Sequence, residues 1–244
     1  MEWQRWGEQL KEVLELQKSP VAMTYTDEPP VEVTGKYRAC SALRAASGGQ
    51  TVVLCATNST CPGGSTFLGL RLPPPEQGKV LREFLIKGEK IFASPAALHR
   101  ASALTKAKPP FGTADYVVFA PLEGAELKPD VAIFTCNAWQ AARLIGLAYY
   151  RDGMPMECDP IGALCRSVMT YPFVTGKVNV SFGDITARKS EHIPADELFI
   201  SLPYPHLQSV VESIAGCSCG TAKVEFPPAM RELIRRSGGE ASEE

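Results

Sequence analysis

Residues 131–150 read VAIFTCNAWQAARLIGLAYY, and this stretch decides the fold class. Its first five residues are apolar and strand-like, and residues 137–150 carry a helix closed by Asp152-Gly153. Strands interleaved with helices in this way are the pattern of an α/β fold. The same pattern runs upstream. Residues 3–17 form an amphipathic helix, and residues 21–26 a short strand ended by Glu28-Pro29-Pro30. Residues 40–46 look helical and stop at Gly48-Gly49, and the strand at 51–56 is rich in β-branched residues. A polar loop then covers 57–66, two helical stretches cover 75–91 and 94–104, a Pro- and Lys-containing connector covers 106–112, and a strand covers 117–120. Downstream, residues 154–159 lead to Pro160, which suits the first turn of a new helix, with Cys165 on that helix or at its end. Strands follow at 178–182 and 197–201, helices at 205–214 and 227–236, and the acidic tail after Gly238 frays.

The expectation is one α/β domain over residues 1–244, a mixed sheet with flanking helices. The step from Gly49 to Gly153 equals the step from Cys61 to Cys165. That spacing suggests two pseudo-repeated halves, about residues 20–70 and 130–170, packed so that equivalent cysteines meet.

Composition narrows the function. The 244 residues suffice for a real core, and 45% hydrophobic with 21% charged residues is ordinary for a globular chain. A net charge of -2 with no basic run gives no field to hold nucleic acid or an anionic membrane. Charged residues interrupt the first turns, so no signal peptide is read, and no apolar stretch is long enough to span a bilayer. The expected setting is cytoplasmic, where disulfides do not persist. The 8 cysteines are then buried hydrophobes or ligands.

Cys61 is the sharpest signal. In Cys61-Pro62-Gly63-Gly64 the proline removes a backbone donor and the glycines allow a tight turn and close approach to a bulky ligand, as at iron–sulfur loops. A plain surface turn holding a thiol fits the same residues. Cys40 opens a small-residue helix and Cys165 follows Gly162-Ala163-Leu164, and each also reads as a buried packing residue. The chain has no Cys-x-x-Cys pair, and His99, His192 and His206 are not at ligand spacing, so a zinc finger is not indicated. Cys55 and Cys136 read as core thiols, Cys158 is ambiguous, and Cys217 and Cys219 lie in a glycine-rich turn that suits a second metal site, a redox pair or simply accessible thiols. No phosphate-binding loop, dinucleotide fingerprint or nucleophile elbow occurs. In the segment Gly183 to Arg188, Arg188 suits an anionic substrate or a structural ion pair.

Cys40 with Ala45 and Gly48, Cys61-Pro62-Gly63-Gly64, Leu68-Gly69-Leu70, Val118-Phe119-Ala120-Pro121-Leu122, Pro129-Asp130-Val131, Gln140-Ala141, Cys165, the Gly183 to Arg188 segment and Ile193-Pro194 together resemble the prokaryotic family called domain of unknown function 169. The resemblance covers most of the chain and carries no settled activity. It implies that Cys40, Cys61 and Cys165 are the recurrent thiols, and that the other five are particular to this chain.

The leading expectation is therefore an iron–sulfur protein holding a 4Fe-4S cluster on Cys40, Cys61 and Cys165, with Cys158 or Cys55 as the fourth ligand. The cluster would carry electrons to a redox partner protein, or act on a small molecule through an open iron. The alternatives are a metal-free small-molecule-binding domain, a cysteine-nucleophile enzyme using Cys61, and a structural zinc protein.

Overall fold

The computed structural model describes residues 1–104, 108–153, 156, 158–160 and 162–239. Six strands form its sheet: β1 (Val21–Thr26), β2 (Val52–Cys55), β3 (Tyr116–Pro121), β4 (Val131–Cys136), β5 (Asn179–Ser181) and β6 (Leu198–Pro203). They lie in the order β2-β3-β1-β4-β6-β5, with every neighbouring pair antiparallel. The helices are α1 (Glu2–Val13), α2 (Ala39–Ser47), α3 (Pro62–Phe67), α4 (Pro75–Glu83), α5 (Pro95–Leu104), α6 (Ala138–Tyr149), α7 (Tyr171–Thr175), α8 (Ile185–Ser190), α9 (Tyr204–Ser213), α10 (Ser218–Thr221) and α11 (Pro228–Arg236). Two π-helical turns, Phe84–Gly88 and Cys165–Thr170, extend α4 and lead into α7.

Alternation along the strands separates two cores. On one face Met23, Phe119, Ile133 and Phe199 pack against α2 and the segment Leu164, Val168, Met169. On the other, Ala22, Ala120, Ala132, Phe134 and Ile200 pack against Leu10 of α1, Leu144 of α6 and Leu207 of α9. Among the described residues no helix is long and apolar enough to cross a membrane.

The α/β reading holds, but the sheet is antiparallel rather than mixed. β1 and β2 run the same way and are joined through α2, yet β3 inserts antiparallel between them. β4 and β5 are likewise parallel, with β6 between them. Each is a split β-α-β unit. The strand–helix–strand pattern fixes the relative direction of the joined strands, not which strand lies beside them.

The repeated halves suggested by the cysteine spacing are not shown. Cys61 follows β2 whereas Cys165 precedes β5, so the two occupy different places in their units. Two local readings also change. The loop expected at 57–66 contains the start of α3, because Pro62 fits a first helical turn. Pro160 does not open a helix, which begins at Leu164. Residues 105–107 of the connector, parts of 154–161, and the tail from 240 lie outside the described residues.

Candidate functional site

Four segments on the first face end at one cavity of about 870 Å³. Its floor carries Cys40 from the first turn of α2, Cys61 capping α3, Cys165 at the start of its π-helical turn, and Asp184 capping α8. A π-helical turn is an uncommon geometry that recurs at functional sites.

Each of the four is held by its own local bonds. The Cys61 sulfur accepts from the Gly64 N–H at 3.3 Å, and α3 is tied down where the buried Ser65 hydroxyl meets Ser59 Oγ at 2.7 Å. A Cβ on Gly64 would stand 3.1 Å from the Ala39 Cβ, so glycine there lets α3 approach α2. The Cys40 thiol donates to Glu191 Oε1 at 3.4 Å, which also accepts from Ser41 Oγ at 2.9 Å. Asp184 Oδ1 accepts from Ala187 N at 2.6 Å and its Oδ2 from Leu164 N at 2.7 Å, which fixes the backbone immediately before Cys165. Asn179 anchors the same segment from β5, with Nδ2 donating to Ser167 O at 2.6 Å and to Asp159 O at 3.0 Å.

The three floor cysteines feel one another. Burial pushes the Cys40 thiol up to about 12, and Glu191 adds to this while Arg38 opposes it. Cys165 is raised well above its ordinary value by burial, then by Cys61, Asp184 and Cys40. Burial works against the Arg38 charge, but Cys40, Cys61 and Glu191 outweigh it and raise the guanidinium. On β1, in the core beside the site, the Tyr25 hydroxyl is buried with no hydrogen-bond partner among the described residues. Burial, Asp130 and Cys165 all raise its pKa.

The remaining cysteines lie elsewhere. Cys158 is exposed, and neither it nor Cys55 lines the cavity. Cys136 is a core thiol as expected, and burial raises it to about 12. Cys55 is not a core residue: it ends β2 half-exposed, beside Thr57 Oγ1 at 3.1 Å. Cys217 is buried against α6 and α9 rather than accessible, and Cys219 packs beside it. Among the described residues Arg188 makes no ion pair with an acid. Its guanidinium donates to the carbonyls of Phe182 at 2.6 Å, Glu197 at 3.0 Å and Pro194, pinning the turn after β5 to the approach of β6. Among the described residues no three His, Cys, Asp or Glu side chains converge closely enough to hold a single metal ion.

Arg38, Glu191, Asp184 and Tyr25 were not singled out from the sequence. Asp184 had a signal, since it sits in the Gly183 to Arg188 segment and precedes a helix in the manner of a capping residue. Arg38 precedes Cys40 by two residues at the N-cap of α2, whereas Glu191 and Tyr25 are brought near only by the tertiary fold.

The profile of domain of unknown function 169, described as "Uncharacterised ArCR, COG2043", matches residues 9–213. "Uncharacterized protein MJ0308" of Methanocaldococcus jannaschii is 25% identical over 156 residues, which cover 63% of this chain and 65% of that protein. The matched part is thus just under two thirds of the relative's length. No solved structure matches the chain. The profile spans far more than half of the chain and takes in all three floor cysteines, and the chain belongs to the domain of unknown function 169 family.

Proposed function

We propose that the protein binds an iron–sulfur cluster, 4Fe-4S in type, on Cys40, Cys61 and Cys165. The observation that carries this reading is that three thiols from three distant segments share one cavity floor and lie within electrostatic reach of one another. The donor set fits such a group: soft sulfurs, flanked by Gly63-Gly64 and Gly162-Ala163, with no histidine among them. Among the described residues they do not converge on a single ion as a structural zinc site requires.

A cluster bound there supplies an electron-transfer centre or, with one iron not held by cysteine, a Lewis acid. The chain supplies the rest. Glu191 accepts the proton of Cys40 and is the natural first stop for it as the thiol becomes a ligand. Arg38 offsets the negative charge gathered by Cys40 and Cys61. Asp184 and Asn179 hold Cys165 in place through the backbone.

The topology suggests a different twofold relation from the one the spacing proposed. Exchanging β1, β2, β3 with β4, β5, β6 leaves the sheet order unchanged. Under that exchange α2, the connection before β2, corresponds to the π-helical segment before β5, so Cys40 corresponds to Cys165. Cys61, capping the helix after β2, corresponds to Asp184, capping the helix after β5. On this reading the site lies between two related halves, and Asp184 rather than Cys158 or Cys55 occupies the fourth position.

Anaerobic purification and reconstitution test the proposal. Iron and acid-labile sulfide in near-equal amounts, with broad visible absorption, are expected. Zinc alone, or no metal, rejects it. One observation favours a second reading, a cysteine nucleophile: Cys61 is half-buried at the cavity, its sulfur accepting from the Gly64 N–H and lying within electrostatic reach of Arg38. Selective, stoichiometric modification of Cys61 by an electrophile in a metal-free protein would favour it.

A further inference from the structure

The cavity is much larger than three ligating sulfurs require, and its two sides differ in chemistry. The roof is α4, the π-helical turn after it, and the stretch into α5. Neither α4 nor that turn buries a single residue. Their apolar side chains Leu81, Phe84 and Leu85 face the cavity instead, joined by Ile91, Phe92 and Leu98. An amphipathic element with no core beneath it gains its hydrophobic stabilisation only from what occupies the space it covers.

Several polar and charged groups around the cavity already have partners. Arg166 pairs with Asp159 at 3.1 Å, Asp184 accepts two backbone N–H bonds, Glu89 accepts from Thr186 N at 3.3 Å, and Arg38 lies against Glu191 and Cys61. Lys108 is exposed at the rim. A charged ligand lying against the apolar roof would lose its hydration to side chains that offer no counter-charge, whereas an uncharged apolar one would not carry that cost.

We infer that the cavity binds a small, uncharged, largely apolar organic molecule, with the roof covering its body and the Cys61–Cys165 floor facing its end. The volume is in the range of sites that enclose such molecules. The inference rests on the cluster reading only for what the bound molecule meets at the floor.

The test uses the full chain, both metal-free and after anaerobic reconstitution, so that a failure to load iron is read separately from a failure to bind ligand. The probe is N-phenyl-1-naphthylamine, which is uncharged and fluoresces in apolar surroundings. 1-Anilinonaphthalene-8-sulfonate serves as its charged analogue. Saturable, one-to-one binding of the neutral probe is expected, with the sulfonate weaker by roughly tenfold or more. Phe84→Asp should weaken the neutral probe by a similar factor, and Phe84→Leu should retain it. Leu81→Glu takes the place of Phe84→Asp if that variant does not fold. The inference is overturned by no saturable binding, by a sulfonate that binds as well or better, by a charged roof variant that binds like wild type, or by a dimer that excludes the probe.

Discussion

At the residue scale, the thiols divide by what surrounds them. Burial raises Cys40 and Cys136 from the ordinary 9.0 to about 12, and raises Cys165 as well. In the metal-free protein these three stay protonated where unfolded thiols have begun to ionise. Above about pH 9 the unfolded chain therefore binds fewer protons than the folded one, and stability falls as pH rises towards about 12. The slope is about 1.4 kcal/mol per pH unit for each thiol, and urea unfolding at a series of pH values reads it. A flat profile would contradict the burial of these groups, and Cys136→Ala should remove one thiol's share. Ligation draws on the same protons, so cluster loading should become more favourable as pH rises. Cys55 behaves oppositely: burial alone would raise it, but hydrogen bonds from Thr57 and Asn58 lower it. Alkylation mapped by mass spectrometry should find Cys55 and the exposed Cys158 modified well before Cys40, Cys136 and Cys165. Equal rates across all five would contradict this. The sequence made Cys40, Cys61 and Cys165 stand out through their small neighbours. It could not reveal Glu191 or Tyr25, whose place depends on chain segments far from the cysteines they approach.

At the element scale, the site depends on how its supporting segments are pinned. Asn179 satisfies two carbonyls and accepts from Asp159 N at 2.7 Å, all from a fully buried position. Asn179→Ala leaves those groups without partners and should cost about 2–3 kcal/mol, measured by urea or thermal unfolding. A change within the scatter of surface substitutions would show that the strand does not anchor the Cys165 segment. Gly64→Val forces α3 away from Ala39 and should lower metal content in the reconstituted protein more than Gly124→Val, whose Cβ would meet nothing. The strand positions were largely legible, since β1 spans the residues expected from their apolar run and β4 extends its expected span by one. α3 was hidden because Pro62-Gly63-Gly64 carries poor helix formers, although proline suits the first turn. The two π-helical turns leave no periodic signature that distinguishes them from α-helix over five or six residues.

At the scale of the whole molecule, two split β-α-β units share one antiparallel sheet, and the cavity opens where both present their first-face segments. Strand direction was the least legible feature. Apolar alternation marks a strand and its buried face but carries no information on which neighbour it pairs with. With a net charge of -2, the protein should show no salt-dependent retention on DNA or on anionic vesicles, and tight salt-sensitive binding to either would contradict that expectation. The central claim is that Cys40, Cys61 and Cys165 form one cluster site. It is tested most directly by measuring iron and acid-labile sulfide in anaerobically reconstituted wild type and in the Cys40→Ala, Cys61→Ala, Cys165→Ala and Cys136→Ala variants. The account predicts near-equal iron and sulfide in wild type and in Cys136→Ala, and a sharp loss of both in each of the other three. Full iron and sulfide in any of those three, or none in wild type, would contradict it.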